Sequence, residues 1–140
     1  AIEMEPNFAD SYVTLALSKM HFGEFESALQ LVRKAMLLNP GYSSGYASNR
    51  SLIHFFRGEY EQAVSVAQDA IDRNINRVEP HVILTVALSK LNRPDDAAWE
   101  AEQLAMIVPD FTADRVTEFM PLSDERIIKD MKEHLRRFGF

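Results

Sequence analysis

The side chains in this sequence that could do chemistry are few and scattered. Imidazole is the common proton carrier and metal ligand near neutral pH, and histidine occurs at His21, His54, His81 and His134. A transition-metal site draws paired ligands from one helical turn or one tight loop, and none of these four has a second histidine within a turn. Stacked repeats can bring His21, His54 and His81 toward one another on neighbouring helices. With no second ligand pair to complete the site, they are read as turn or surface histidines and no metal is expected. The paired carboxylates Asp95 and Asp96, and Asp124 and Glu125, are read as acidic residues at the positive ends of helices rather than as an acid and base facing a substrate. Without cysteine there is no thiolate nucleophile, no disulfide framework and no thiolate zinc site. The sequence has neither a phosphate-cradling glycine loop nor a G-x-S-x-G elbow. No catalytic residue and no cofactor is expected, so this stretch is not read as an enzyme, although a catalytic domain upstream in a longer protein is compatible with it.

Charge narrows the partners. Against 15 Lys and Arg stand 21 Asp and Glu, a net charge of −6 spread along 140 residues. Phosphate backbones need a basic stripe, so direct nucleic-acid binding is not expected. The apolar runs are only a few residues long where a bilayer helix needs about 20, so no membrane insertion is expected and the reading is cytoplasmic. The opening Ala1-Ile-Glu-Met-Glu-Pro6 reads as the end of a helix and suggests a C-terminal piece of a longer protein.

The elements follow from periodicity. Pro6 and Pro40 lie 34 residues apart, and Pro109 follows 69 residues later, about twice that interval. Between Pro6 and Pro40, Phe8, Tyr12, Leu15, Ala16, Lys19 and Phe22 recur at helical steps, then Phe25, Ala28, Leu31, Val32, Ala35 and Leu38. Gly23 separates the two runs and allows a left-handed reversal; Pro40 ends the second run.

Tyr12-x2-Leu15-Ala16-x2-Lys19, then Ala28-x3-Val32, Ala35 and Pro40 resemble the tetratricopeptide (TPR) repeat pattern. Ala16, Ala28 and Ala35 stand where two helix backbones approach closely, and the Lys19 stem covers apolar surface in the slot of an aromatic residue. In a second copy, Gly58, Tyr60, Ala63, Ala67 and Ala70 repeat Gly23, Phe25, Ala28, Val32 and Ala35 at an offset of 35. Its first helix takes either Tyr46, Asn49, Arg50 and Ile53 or Ala47, Arg50, Ser51 and His54 as slots. The missing proline after Ala70 suggests a longer connection. In a third copy, Val86 to Lys90 matches Leu15 to Lys19 at an offset of 71, whereas Ala97 to Pro109 runs at 69, which implies a turn about two residues shorter. Beyond Pro109 the pattern predicts a short helix near 112–119, a break at Pro121, and a helix over 123–138 capped by Ser123. The stripe Ile127, Ile128, Met131, Leu135 and Phe138 would let that helix close the stack.

The fold expected is therefore all-α, an α-solenoid of antiparallel helix pairs with about three TPR repeats and a C-terminal capping helix. Residues 1–7 would end a preceding repeat, 8–40, 41–78 and 79–109 would form three repeats, and 110–140 the cap. Solenoids bind partners along the face made by the first helix of each pair, which points to a groove of Val13, Leu17, Met20, Asn49, Leu52, Phe55 and Leu84 suited to a protein or peptide segment. Hsp90/Hsp70-tail-binding TPR proteins hold a carboxylate there with Lys, Asn and Arg. Here Val13 and Leu17 stand instead, which argues against that role. Trp99 occupies a slot filled by Gln30 and Ser65, so either the C-terminal helix covers it, the favoured reading, or it marks an exposed contact patch. The ending Met131 to Phe140, with Pro109-Asp-Phe111-Thr and the Pro121 break, resembles TPR tails that follow the catalytic domain of bacterial class III adenylate cyclases; similar tails follow the DNA-binding domains of bacterial transcriptional regulators. The resemblance implies a non-catalytic interaction or regulatory module in a larger signalling protein, with self-association as a homodimer as the alternative.

Overall fold

The computed structural model describes residues 8–140, and the assignment of 1–7 to the end of a preceding repeat lies outside them. Six helices form three antiparallel pairs: α1 (Phe8–His21) with α2 (Phe25–Leu38), α3 (Ser44–Phe56) with α4 (Tyr60–Arg73), and α5 (Val78–Lys90) with α6 (Pro94–Ile107). A 3-10 turn (Ala113–Arg115), the single turn α7 (Val116–Phe119) and α8 (Glu125–Arg136) follow. The α-solenoid of helix pairs with a C-terminal helix is the observed fold.

Each pair closes in the same way. Gly23, Gly58 and Asn92 adopt φ of 80°, 78° and 60°, the left-handed region open to glycine and, at low cost, to asparagine. Around each, the amide three positions past the helix returns to a carbonyl five residues back: Glu24 to Lys19, Glu59 to His54 and Arg93 to Leu88, at 2.9 to 3.0 Å. This bond pattern satisfies carbonyls that the helix end would leave without partners. The third pair therefore has a turn of the same length as the others. The expected shortening came from matching Val86 to Lys90 with Leu15 to Lys19 by letters, whereas the left-handed residue sets the true phase.

With that phase, Ala16, Ser51 and Thr85 share the close-contact slot of the first helices, all 0% exposed. The two hydroxyls return to their own helices, Ser51 Oγ to the Ser48 carbonyl at 2.7 Å and Thr85 Oγ1 to His81 at 2.8 Å, so a small polar residue can be buried there satisfied. The second pair takes the Ala47, Arg50, Ser51 and His54 register. The connection after α4 is short (74–77), not long: Asn74 Oδ1 accepts the Asn76 amide at 3.0 Å, and α5 begins at Val78 with Pro80 in its first turn.

Asp124, not Ser123, caps α8, accepting the Arg126 amide at 2.9 Å. Met131 and Leu135 on its inner face are 0% exposed and join the core with Val82, Val86 and Leu104.

Candidate partner-binding face

The first helices form one layer, α1 touching α3 and α3 touching α5. Aligned on the left-handed turns, this layer presents three rows: Val13, Ser48 and Val82; Leu17, Leu52 and Val86; Met20, Phe55 and Ser89. Leu84 falls in the row of Leu15 and Arg50, toward the preceding pair. An offset of 71 would set it in the row of Val13; the left-handed turn sets it in that of Leu15.

The chain itself covers most of the residues expected to line a groove. Val13, Met20, Leu52, Phe55 and Leu84 are 8%, 6%, 3%, 4% and 3% exposed, while Leu17 and Asn49 are half-buried. The C-terminal segment covers the third pair's part of the layer. Both α7 and α8 pack on α5, and Met120, Met131 and Leu135 lie in one core with Leu52 and Phe55. Polar contacts fix it there: Lys90 pairs with Asp130, and the Ser89 hydroxyl donates to His134 Nδ1 at 2.7 Å. Burial, then Arg137, pushes the His134 pKa down, which keeps the ring neutral as an acceptor.

One part of the layer stays open. Leu17, Met20, Phe25 and Phe56 face Leu122 and Ile127 across a pocket of about 230 Å³, with His21 and Asp124 at its polar margin. Drug-sized ligands occupy clefts of about 300–1,000 Å³; this one suits a single large apolar side chain. Phe25, Phe56, Leu122 and Ile127 were not among the expected groove residues. Phe25 and Phe56 flank the glycine turns, a signal present in the sequence, whereas the stripe of the tail does not say that Leu122 and Ile127 come to stand opposite them.

The histidines also depart from expectation. His54 and His81 are both 2% exposed and His134 is 9%, so three of the four belong to the interior. His81 bonds Glu100 through Nδ1 and the Ile75 carbonyl through Nε2 at 2.7 Å. Burial alone would lower its pKa, but Glu100 and the Ile75 carbonyl outweigh that and hold it above the ordinary value. Two donors serving two acceptors describe an imidazolium joined to a carboxylate. Trp99 is 61% exposed, so the C-terminal helix does not cover it. Among the described residues, no helix is long and apolar enough to cross a membrane.

No family model matches the sequence, and no curated protein does. Solved structures do match. MamA superposes with a TM-score of 0.72 at 20% identity, over 98% of this chain and 77% of that one. The first TPR domain of Spaghetti (RPAP3), bound to an HSP90 peptide, gives 0.74 at 16% over 94% and 90%. The Yersinia enterocolitica type III secretion chaperone SycD, in complex with a peptide of the translocator YopD, gives 0.73 at 12% over 96% and 97%. At these identities the likeness establishes the fold, and the fold is that of tetratricopeptide domains.

Proposed function

We propose that this chain is a non-catalytic interaction module that holds a protein or peptide segment against its first-helix layer, as a regulatory part of a larger signalling protein such as an adenylate cyclase. The observation that carries the reading is the open apolar pocket between Leu17, Phe25 and Phe56 and the returning Leu122 and Ile127. A pocket of side-chain size anchors one apolar residue of a partner. The partner's remaining contacts fall on the rim of the pocket, where His21 and Asp124 stand. The solved relatives that carry peptides support this kind of use, and the cyclase setting rests on the resemblance of the C-terminal residues. The test is selection from a displayed peptide library on the immobilised chain. Recovered peptides are expected to share one large apolar residue, and Leu17→Asp, at a half-buried position, should abolish their binding while circular dichroism stays unchanged. Selection of no peptides, or binding that survives Leu17→Asp, would overturn the reading.

A second reading, self-association, is favoured by a different surface. Phe8, Leu15 and Phe22 on α1 are 77%, 46% and 73% exposed and lie along one stripe. On α3 and α5 the positions matching Leu15 are Arg50 and Leu84, on the side of the preceding pair. A second copy of the chain, or a preceding repeat to which residues 1–7 would belong, fits that stripe. Size measured across a concentration series, with and without Leu15→Glu, separates the two: a second copy predicts a dimer that the substitution dissolves.

A further inference from the structure

Along the seam between α2 and α3, side chains meet in antiparallel register. Glu26, Gln30 and Arg33 follow one another up α2; Arg57, His54 and Arg50 follow one another down the facing side of α3. The register is fixed at one end by Glu26 and Arg57, paired at 2.5 Å. Gln30 turns back to Glu26 at 3.1 Å, while Arg33 lies close enough to Arg50 and His54 to act on the charge of both; among the described residues, no carboxylate is bonded to either guanidinium.

The surroundings leave this end of the seam short of negative charge. Asp69, from α4, is engaged by the Tyr42 hydroxyl at 2.8 Å and by Arg73 at 3.1 Å. Glu59 is held by His54 Nδ1 at 2.8 Å and by Arg57 at 3.2 Å. Among the described residues, two buried polar atoms find no partner, Arg50 Nε and His54 Nε2. Burial and then Arg33 lower the Arg50 pKa; burial, Arg50 and Arg33 all act to lower that of His54 against the pull of Glu59. The matching row carries Leu15 in the first pair and Leu84 in the third, so a leucine fits this position and an arginine there leaves its orphaned nitrogen as a cost.

We propose that the α2–α3 seam binds a tetrahedral oxyanion, a phosphate or sulfate group, through Arg50 and Arg33 with His54 Nε2 as a further donor. A planar guanidinium matches two oxygens of such a group, and one dianion neutralises both arginines. Because His54 Nδ1 already donates to Glu59, its Nε2 donates only when the ring is protonated, so binding takes up a proton at His54. The site lies outside the apolar pocket and does not depend on the function proposed above.

The experiment follows the Arg50 side-chain Nε–H and the His54 ring by NMR while the full chain is titrated with sulfate, with inorganic phosphate and with a phosphate monoester, ionic strength being held with chloride. Saturating shifts at both residues are expected, with sulfate affinity rising as pH falls through the histidine range, where sulfate itself does not titrate. Equal saturation by inorganic phosphate and the ester identifies a free ion as sufficient; saturation by the ester alone identifies a phosphorylated small ligand. Arg50→Leu should abolish saturation and Arg33→Gln weaken it about tenfold, while both keep the helical spectrum. General salting effects of these anions act on Arg50→Leu as they do on the parent. Linear shifts with every anion, or equal saturation in Arg50→Leu, would overturn the proposal.

Discussion

The two seams that join the helix pairs are built on the same plan and filled differently. Between α4 and α5, Ala67 and Ile71 line the seam with Leu84 and Leu88, all 7% exposed or less, while His81 of α5 is turned to Glu100 of α6. Between α2 and α3, Leu29 and Val32 supply an apolar floor at 3% and 0%, but Arg50 stands in the leucine row and His54 has a nitrogen without a partner. Both seams stack the solenoid. Among the described residues, only the α2–α3 seam, the first along the chain, leaves cationic and polar groups unmatched, and unmatched groups in an interface cost stability unless a ligand meets them. Stability and recognition are thus separated by one repeat.

The largest expected effect comes from making the second seam resemble the first. Leu84→Arg would place a guanidinium where the leucine is 3% exposed. Loss of the leucine and an uncompensated buried charge together should cost on the order of 4 kcal/mol, measured by urea denaturation. A cost under about 1 kcal/mol would mean that the second seam admits solvent as the first does.

Glu100→Gln comes next. It leaves the His81 charge buried without its partner, and breaking such a pair costs about 3 kcal/mol. Its pH signature has a definite sign. The His81 pKa is raised in the fold, so its contribution is complete below the ordinary histidine value of 6.5 and is lost as pH rises through the folded value. The parent should weaken across that alkaline-going window and the variant should not, as read from denaturation midpoints at a series of pH values.

The contrast between the seams also marks how far the sequence can be read. Helix pairing was legible because Gly23, Gly58 and the small residues Ala28, Ala63 and Ala97 are local requirements of a left-handed turn and a close helix contact. Asn92 performs the same turn as the glycines, yet the matching letters of Leu15 to Lys19 and Val86 to Lys90 drew the third helix two positions out of phase and took Leu84 with them. Groove residues were read as a face of each helix, and Leu17 remains partly open. Leu52 and Phe55 are buried in one core with a tail whose amphipathic stripe was visible in the sequence but whose destination was not, since the stripe fixes which side of α8 is buried and not which helix buries it. Arg50 stood among the slot residues in both registers considered. Its meaning appears only when Arg33 is set opposite it and Asp69 is found occupied.

The smallest effect is the reverse exchange, Arg50→Leu, and it has the opposite sign. A leucine in this row removes a guanidinium that is partly desolvated and whose buried Nε has no partner, and it extends the floor of Leu29 and Val32. Leaving a buried donor unsatisfied costs about 1–3 kcal/mol; part of this is already relieved because the rest of the group is half-buried and reaches solvent, so a gain of about 1 kcal/mol is expected in chloride buffer. The acid side should change as well. His54 has its pKa lowered by burial first, with Arg50 and Arg33 adding to it, so its contribution is present above the ordinary value and is lost as pH falls toward the folded one. Removing Arg50 lifts the folded value back toward the ordinary one and should shrink that acid loss, which denaturation at falling pH would record. If Arg50→Leu instead destabilised the chain as Leu84→Arg does, the arginine would be a structural partner in the first seam, and the two seams would differ in composition but not in role.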